Sequence, residues 1–367
     1  MTWDIKKAFE ELPHNLVLDS IARTGASVSS MNIIRTYLVA QASYVQVGEA
    51  KSRTISNMSR GLGQGTHLAG PVFNLATMRT TAAARIEFST KYSDDDVEIV
   101  VARTDHQLKK KLDEVLCDKE SRVTQIGLKL QTEKTKLWVI NSQIDDVLYK
   151  GLKITASSSL KHLGVVLQND LKPLSHLEQT ISKLKQAAAR IKALGDLPKK
   201  HKLAAYYAWA QSAVLYNSCS YLPFLTSKQS QKLQSALNLA IRVALRCPFR
   251  IRLKNGAIKF PSVTKIRRSW RIPSVEMLKS QAVTKLCWKF RTKYRDLEQE
   301  QISQARTVTR NVGSLRMPLE RGLMAVSVDG PCRRTWNTLP AKIKNEDDKK
   351  KAFGMIKCWI AKGSGKQ

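Results

Sequence analysis

From residue 173 onward, apolar side chains recur at Leu177, Ile181, Leu184, Ala188 and Ile191, in alternating steps of four and three residues. That spacing predicts an amphipathic helix. Two more apolar-periodic stretches, 203–221 and 229–246, predict further helices. The first part of the chain reads differently. Leu16, Leu18, Ile21, Met31, Ile34 and Leu38 keep mostly helical spacing that breaks near Gly25, so a helical pair is expected. Between Tyr44 and Ile55, Val45, Val47 and Ile55 alternate with polar neighbours and predict a strand or hairpin. A turn containing Gly61, Gly63 and Gly65 follows, and the periodic segment after Pro71 fits a helix with proline at its start. In Lys91-Tyr92-Ser93-Asp94-Asp95-Asp96-Val97-Glu98-Ile99-Val100, two adjacent aspartates precede alternating Val97 and Ile99. This predicts a hairpin turn feeding a buried strand. His106 to Cys117 predicts a charged amphipathic helix, and the alternation into Trp138 and Ile140 a second strand, with Lys134 in the polar loop before it.

Length and charge narrow the picture. The 367 residues, 43% of them apolar, suffice for two or three domains with real cores and exclude a disordered tail. Lys and Arg number 62 against 30 Asp and Glu, a net +32, so a polyanionic partner is the first expectation. Residues 1–150 hold 20 basic and 18 acidic side chains, while residues 151–367 hold 42 and 12. The chain therefore separates a nearly neutral chemical module from a strongly cationic one. Six scattered cysteines without CxxC spacing read as free thiols of a reducing compartment. The start lacks a signal peptide's apolar core, and the longest apolar stretch, Leu203 to Tyr216, is interrupted by Gln211 and Ser212. An intracellular protein of the nucleus or cytoplasm, with no membrane partner, is expected. Lys265-Ile266-Arg267-Arg268 fits nuclear import and nucleic-acid contact alike.

The carboxylates suggest chemistry. Asp94 and Asp95 on a tight turn repel each other unless a divalent cation sits between them, and hard oxygen ligands suit Mg²⁺. Phosphoryl or nucleotidyl transfer is the implied reaction, although the segment alone fits a solvated acidic turn equally well. On the polar side of the helix from residue 173 lie Lys183, Lys185, Arg190 and Lys192. Arg250 and Arg252, and then Arg267, Arg268, Trp270 and Arg271, interleave cations with apolar and aromatic groups, as phosphate contact with base stacking requires.

Taken in order, these stretches resemble the reverse transcriptase of non-LTR (LINE-type) retrotransposons. Asp4-x-x-x-Ala8-Phe9 is similar to that family's first palm motif, D-x-x-x-A-F-D, with Glu10 in place of the second aspartate. Gly61-x-Gly63-Gln64-Gly65 through Phe73-Asn74 resembles G-x-P-Q-G-x-x-x-S-P-x-x-F-N, departing at Gly63, Ala69 and Gly70. Tyr92-Ser93-Asp94-Asp95 corresponds to the Y-A-D-D box. Gly127-Leu128 to Lys134-Thr135 is similar to G-L-x-x-N-x-x-K-T, with Gln131 for Asn, and Lys161-His162-Leu163-Gly164-Val165 to K-Y-L-G-V. Near the end, Arg310-Asn311 and then Trp336-Asn337-Thr338-Leu339-Pro340 resemble the tail of several such elements.

The resemblance implies an α+β fold: a right-hand polymerase palm over 1–160, an all-helical thumb over 161–255 and a basic helical tail over 256–367. It implies an RNA-directed DNA polymerase in which Asp4, Asp94 and Asp95 hold two Mg²⁺ ions. Phe9 would exclude a ribose 2′-hydroxyl, Gln64 and Gly65 would meet the nucleotide and template, and Lys134 would serve the triphosphate. The partners implied are an RNA template, a DNA primer, dNTPs and an N-terminal part of the polyprotein, because fingers and endonuclease are absent from this sequence. The alternative is an inactive remnant that binds RNA or DNA through its basic part.

Overall fold

The computed structural model describes residues 1–56, 58–63, 65–80, 86–296 and 329–361. Two compact units divide the chain, Met1–Gly164 and Val165–Gln367.

In the first unit a central three-stranded sheet is built from β1 (Thr2–Trp3), β4 (Phe88–Tyr92) and β5 (Asp95–Ile99), in the order β1-β5-β4. The expected helical pair is present as α1 (His14–Ala22) and α2 (Val28–Val39). Ser27 caps α2 by accepting from the Ser30 backbone N–H at 3.2 Å. A small exposed hairpin, β2 (Gln46–Val47) and β3 (Ala50–Lys51), follows. Helix α3 (Ala69–Ala76) starts two residues before Pro71 rather than on it. Helix α4 (Asp105–Gln125) runs well past the expected end at Cys117, and its apolar stripe continues through Lys119 to Val123. The second expected strand shrinks to β6 (Leu137–Trp138) in a sheet with β7 (Asp146–Tyr149) and β8 (Leu152–Ser157). β9 (Ser159–His162) completes the unit.

Two apolar clusters flank the central strands. Ile5, Leu12, Val17, Phe73 and Leu128 belong to one, and Trp3, Leu112, Val115, Leu116 and Val147 to the other. Helix α4 serves both, with Val123 in the first and Leu116 in the second.

β5 departs from expectation. Its buried positions are Asp96 and Glu98, whereas Ile99 is 46% exposed and Val97 only half-buried. Cations and a donor supplied from other elements make that inversion affordable. Lys119 of α4, itself fully buried, pairs with Asp96 and, at 3.0 Å, with Glu98; the Trp3 indole donates to Glu98 Oε2 at 3.0 Å.

The second unit opens with β10 (Val165–Gln168) and α5 (Leu174–Ala193), on which Leu177, Ile181, Leu184, Ala188 and Ile191 are all buried as their spacing predicts. The stretch 203–221 is not one helix. It divides into α6 (Lys199–Ala205), a π-helical segment (Tyr206–Gln211), α7 (Ser212–Leu215) and α8 (Ser218–Tyr221), with Asn217 left-handed at φ 46 before α8. Helix α9 (Ser227–Ala244) begins with a Thr226/Gln229 capping box and packs against α5. The region is not all-helical: β11 (Ile251–Arg252) and β12 (Ile258–Lys259) form a hairpin before α10 (Val263–Ser269). Helix α11 (Val275–Lys289) places Val275 and Leu278 in the α5/α9 core. Its later residues Val283, Cys287 and Trp288 join a core with α12 (Asp329–Thr338), α13 (Ala341–Lys344) and α14 (Lys349–Ala361). Trp336 and Leu339 of the W-N-T-L-P stretch are buried in that core, which gives the motif an architectural role. Arg310 and Asn311 lie outside the described residues. No disulfide joins any of the six cysteines, all of which lie among the described residues. Among the described residues no helix is long and apolar enough to cross a membrane.

Candidate active site

The site is built by strand register. β1 and β5 pair antiparallel with Thr2 opposite Val97 and Trp3 opposite Asp96. The next step of that register sets Asp4 against Asp95. Directly opposed residues of an antiparallel pair share a face, and consecutive residues alternate between faces. Trp3, Asp96 and Glu98 therefore turn into the core, while Asp4 and Asp95 share the other, open face. The β4/β5 hairpin closes over two residues, since Tyr92 opposes Asp95. Ser93 at the first turn position has φ 60, the positive value such turns demand. Asp94 follows it, so the turn carries one carboxylate and the strand the next.

On the opposite edge, β1 is flanked by the 129–136 segment. Lys6 N–H donates to Lys129 O at 2.9 Å, Gln131 N–H to Asp4 O at 2.8 Å and Lys136 N–H to Thr2 O at 3.1 Å. A 3₁₀ turn over Thr132–Lys134 then brings Lys134 Nζ to 3.1 Å from Asp4 Oδ2. That oxygen is closed to water and receives no well-aligned hydrogen bond. Lys134 itself is 62% exposed, so the ion pair lies at the solvent surface. Asp95 titrates above the ordinary carboxylate range. Partial desolvation is the main cause, followed by the charges of Asp94 and Asp4, while His162 of β9 opposes the shift. The residue types, the register and this mutual repulsion define an anionic face on which Lys134 is the cation at Asp4.

Residues 1–167 match the family model for reverse transcriptase (RNA-dependent DNA polymerase). No curated protein matches the chain.

The family of that matched segment generally uses divalent metal ions. Hard carboxylate oxygens on Asp4, Asp94 and Asp95, with a raised Asp95 and an unsatisfied Asp4 Oδ2, fit such ions in chemistry. Among the described residues, no three His, Cys, Asp or Glu side chains converge into a metal-holding group. Lys134 instead compensates Asp4.

The other expected residues sit as follows. Phe9 stacks on the buried Phe73 ring with centroids 4.6 Å apart and remains half-buried, so its ring is anchored by the core while an edge stays accessible. Gly65 is exposed with φ 84 and open space around it. Gln64 lies outside the described residues. In the second unit Lys183, Lys185, Arg190 and Lys192 are exposed along α5, and Arg250, Arg252, Arg268 and Arg271 are exposed on the hairpin and after it. Arg267 is half-buried and donates to the Ile272 carbonyl at 3.0 Å, an attachment within the fold.

Sequence reasoning passed over Lys119, Lys91 and His162. Lys119 was findable: Leu112, Val115, Leu116, Lys119 and Val123 follow helical spacing, so a lysine falls on an apolar stripe and calls for a buried carboxylate. Lys91 lies opposite Asp96 in the β4/β5 register. Its Nζ stands 4.0 Å from Asp96 Oδ2 and donates to Thr80 Oγ1 at 3.1 Å, and burial lowers its pKa to about 8.

Proposed function

We propose that this chain is the catalytic portion of an RNA-directed DNA polymerase of non-LTR retrotransposon type, adding deoxynucleotides to the 3′-hydroxyl of a primer held on an RNA template. The observation that carries this reading is the β1/β5 register, which sets Asp4 beside Asp95 on an open face with Asp94 on the adjoining turn. Asp4, Asp94 and Asp95 would hold two Mg²⁺ ions. Bound there, the ions would supply Lewis-acid activation of the primer hydroxyl and neutralise charge on the leaving pyrophosphate.

The protein's own groups divide the remaining work. Lys134, paired with Asp4 at the solvent surface, is able to release it when cations arrive and offer its ammonium to the triphosphate. Phe9, steadied by Phe73, presents a fixed wall against a 2′-hydroxyl and favours dNTPs. The open backbone at Gly65 allows close approach of the nucleotide. Lys183, Lys185, Arg190 and Lys192 form an exposed cationic row suited to the template–primer backbone.

The ion pair between Lys134 and Asp4 favours one second reading, a nucleic-acid-binding remnant in which the lysine permanently replaces the metal. Primer extension on poly(rA)/oligo(dT) with Mg²⁺ and dTTP separates the two. Extension by the parent and none by Asp94→Ala/Asp95→Ala supports the polymerase. Absence of extension in both, with salt-sensitive binding intact, supports the remnant.

A further inference from the structure

Between Asp196 and Glu276 the chain has no acidic residue and 15 Lys or Arg. Its most exposed feature is the β11/β12 hairpin, in which every residue from 249 to 260 is exposed. Ile251 opposes Lys259 and Arg252 opposes Ile258. The tip Lys254-Asn255-Gly256 is closed by Leu253 N–H to Ala257 O at 2.8 Å, with Gly256 at φ 82. Arg242 of α9 roots the structure. Its guanidinium donates to the Pro248 carbonyl at 2.9 Å and to the Pro261 carbonyl at 3.0 Å, and it lies over the Phe249 ring at 4.6 Å. Both ends of the hairpin are thus clamped by one side chain, and the rest projects as an arm.

Register sorts the arm's side chains. Arg252 and Ile258 share a face, and continuing the pairing away from the tip adds Arg250 and Phe260 to it. One strand of that face carries two cations, Arg250 and Arg252, about 6.7 Å apart, and Lys254 stands at the tip beyond them. The other carries Ile258, 54% exposed, and Phe260, 73% exposed. A row of cations beside a bare aromatic is a backbone track next to a stacking platform. Only unpaired bases offer a free π-face to such a ring; a duplex keeps its bases stacked on one another.

We propose that the β11/β12 arm binds a single-stranded stretch of polynucleotide, with phosphates along Arg250 and Arg252 and a base stacked on Phe260. The inference extends the nucleic-acid side of the proposed function but uses none of the carboxylates, so primer extension and arm binding fail independently.

The test is fluorescence anisotropy on the full chain with labelled oligo(dT), oligo(rU) and a duplex of equal length, alongside phosphatidylserine vesicles. Phe260→Ala is expected to weaken single-strand binding about 5- to 150-fold and to leave duplex binding within about twofold. Phe260→Trp should retain single-strand binding. Arg250→Ser/Arg252→Ser should flatten the log–log salt dependence on single strands by about 1.4, at about 0.7 per lost phosphate contact. Equal losses on oligo(dT) and oligo(rU) support recognition of the shared backbone and base chemistry, and a loss on one alone supports the arm with that polymer as its ligand. Unchanged single-strand binding in Phe260→Ala, equal losses on single strand and duplex, or Phe260-dependent binding confined to vesicles overturns the proposal. Circular dichroism checks that these exposed substitutions leave the fold intact.

Discussion

Replacing Lys119 by Met should destabilise the first unit out of proportion to the loss of one side chain. Lys119, Asp96 and Glu98 are each at most 1% exposed, and the single ammonium pairs with both carboxylates. Other groups nearby include the Trp3 indole on Glu98, Lys91 at 4.0 Å from Asp96, and the buried amino group of Met1. Removing one partner of a buried ion pair costs about 3–5 kcal/mol, because the other charge stays buried without compensation. For a unit of this size each kcal/mol moves the melting temperature by about 2–4 °C, so the expected fall is about 6–20 °C. Differential scanning calorimetry of the full chain reads it as the transition of one unit moving while that of the other stays. Lys119→Met/Asp96→Asn/Glu98→Gln, which removes the stranded charges and keeps an acceptor for Trp3, should recover at least half of the loss. A fall below about 2 °C in the single variant, or a triple variant no more stable than the single, refutes the reasoning.

Three further outcomes follow from the same face and its surroundings. Lys91 has a folded pKa near 8, below its ordinary value of 10.5 because it is desolvated, so the unfolded chain binds the extra proton between those values and stability should rise with pH there. The gain is on the order of 3 kcal/mol; urea unfolding at pH 7.5 and 10.5 should show it in the parent and lose it in Lys91→Met. Asp95 is raised mainly by desolvation and then by Asp94, while the charge of His162 opposes the rise, so His162→Gln should shift the Asp95 carboxyl further up in an NMR titration; an unmoved carboxyl rules out that influence. Gly61 has φ 102, and a Cβ there would stand 3.2 Å from the Glu10 carbonyl oxygen. Gly61→Ala should therefore cost about 1–2 kcal/mol, read as a fall of about 2–8 °C in the same calorimetric transition.

Helical periodicity was legible along α5, where one face meets a core. The five apolar positions from Leu177 to Ile191 read correctly because burial on one side imposes the period. The β11/β12 hairpin was missed although Arg250-Ile251-Arg252-Leu253-Lys254-Asn255-Gly256 alternates with period two into an Asn-Gly turn. Cationic density drew attention to partners and away from backbone pattern. The break in 203–221 left no comparable mark, since Asn217 adopts its left-handed conformation within an otherwise helical apolar stretch. For the site, Asp4, Asp94 and Asp95 were readable as motif positions, but the ion pair from Lys134 to Asp4 depends on the 3₁₀ turn at Thr132–Lys134, which no spacing announces.

β5 was read with the wrong face inward, and the error explains the site. Alternating Val97 and Ile99 look like core positions only if carboxylates are assumed to face water. In this strand carboxylates occur on both faces, and the supply of protein cations decides what each face is for. The inner face receives Lys119 within hydrogen-bonding distance and Lys91 nearby, so Asp96 and Glu98 are compensated and can serve as structure. The outer face receives the exposed Lys134, on Asp4, and the opposing influence of His162 on Asp95, which still leave Asp94 and Asp95 to repel each other and Asp95 shifted upward. A strand that neutralises one row of acids permanently and leaves the adjoining row under-compensated is rigid where its register must be held and electrostatically open where cations would arrive. Neutralising the inner row should disturb stability first; neutralising the outer row by Asp94→Asn should relax Asp95 toward the ordinary carboxylate range with little change in melting temperature. Direct titration of the Asp95 carboxyl by NMR in the parent and in Asp94→Asn distinguishes the two faces, and an Asp95 that does not move down would show that Asp94 contributes nothing to its shift.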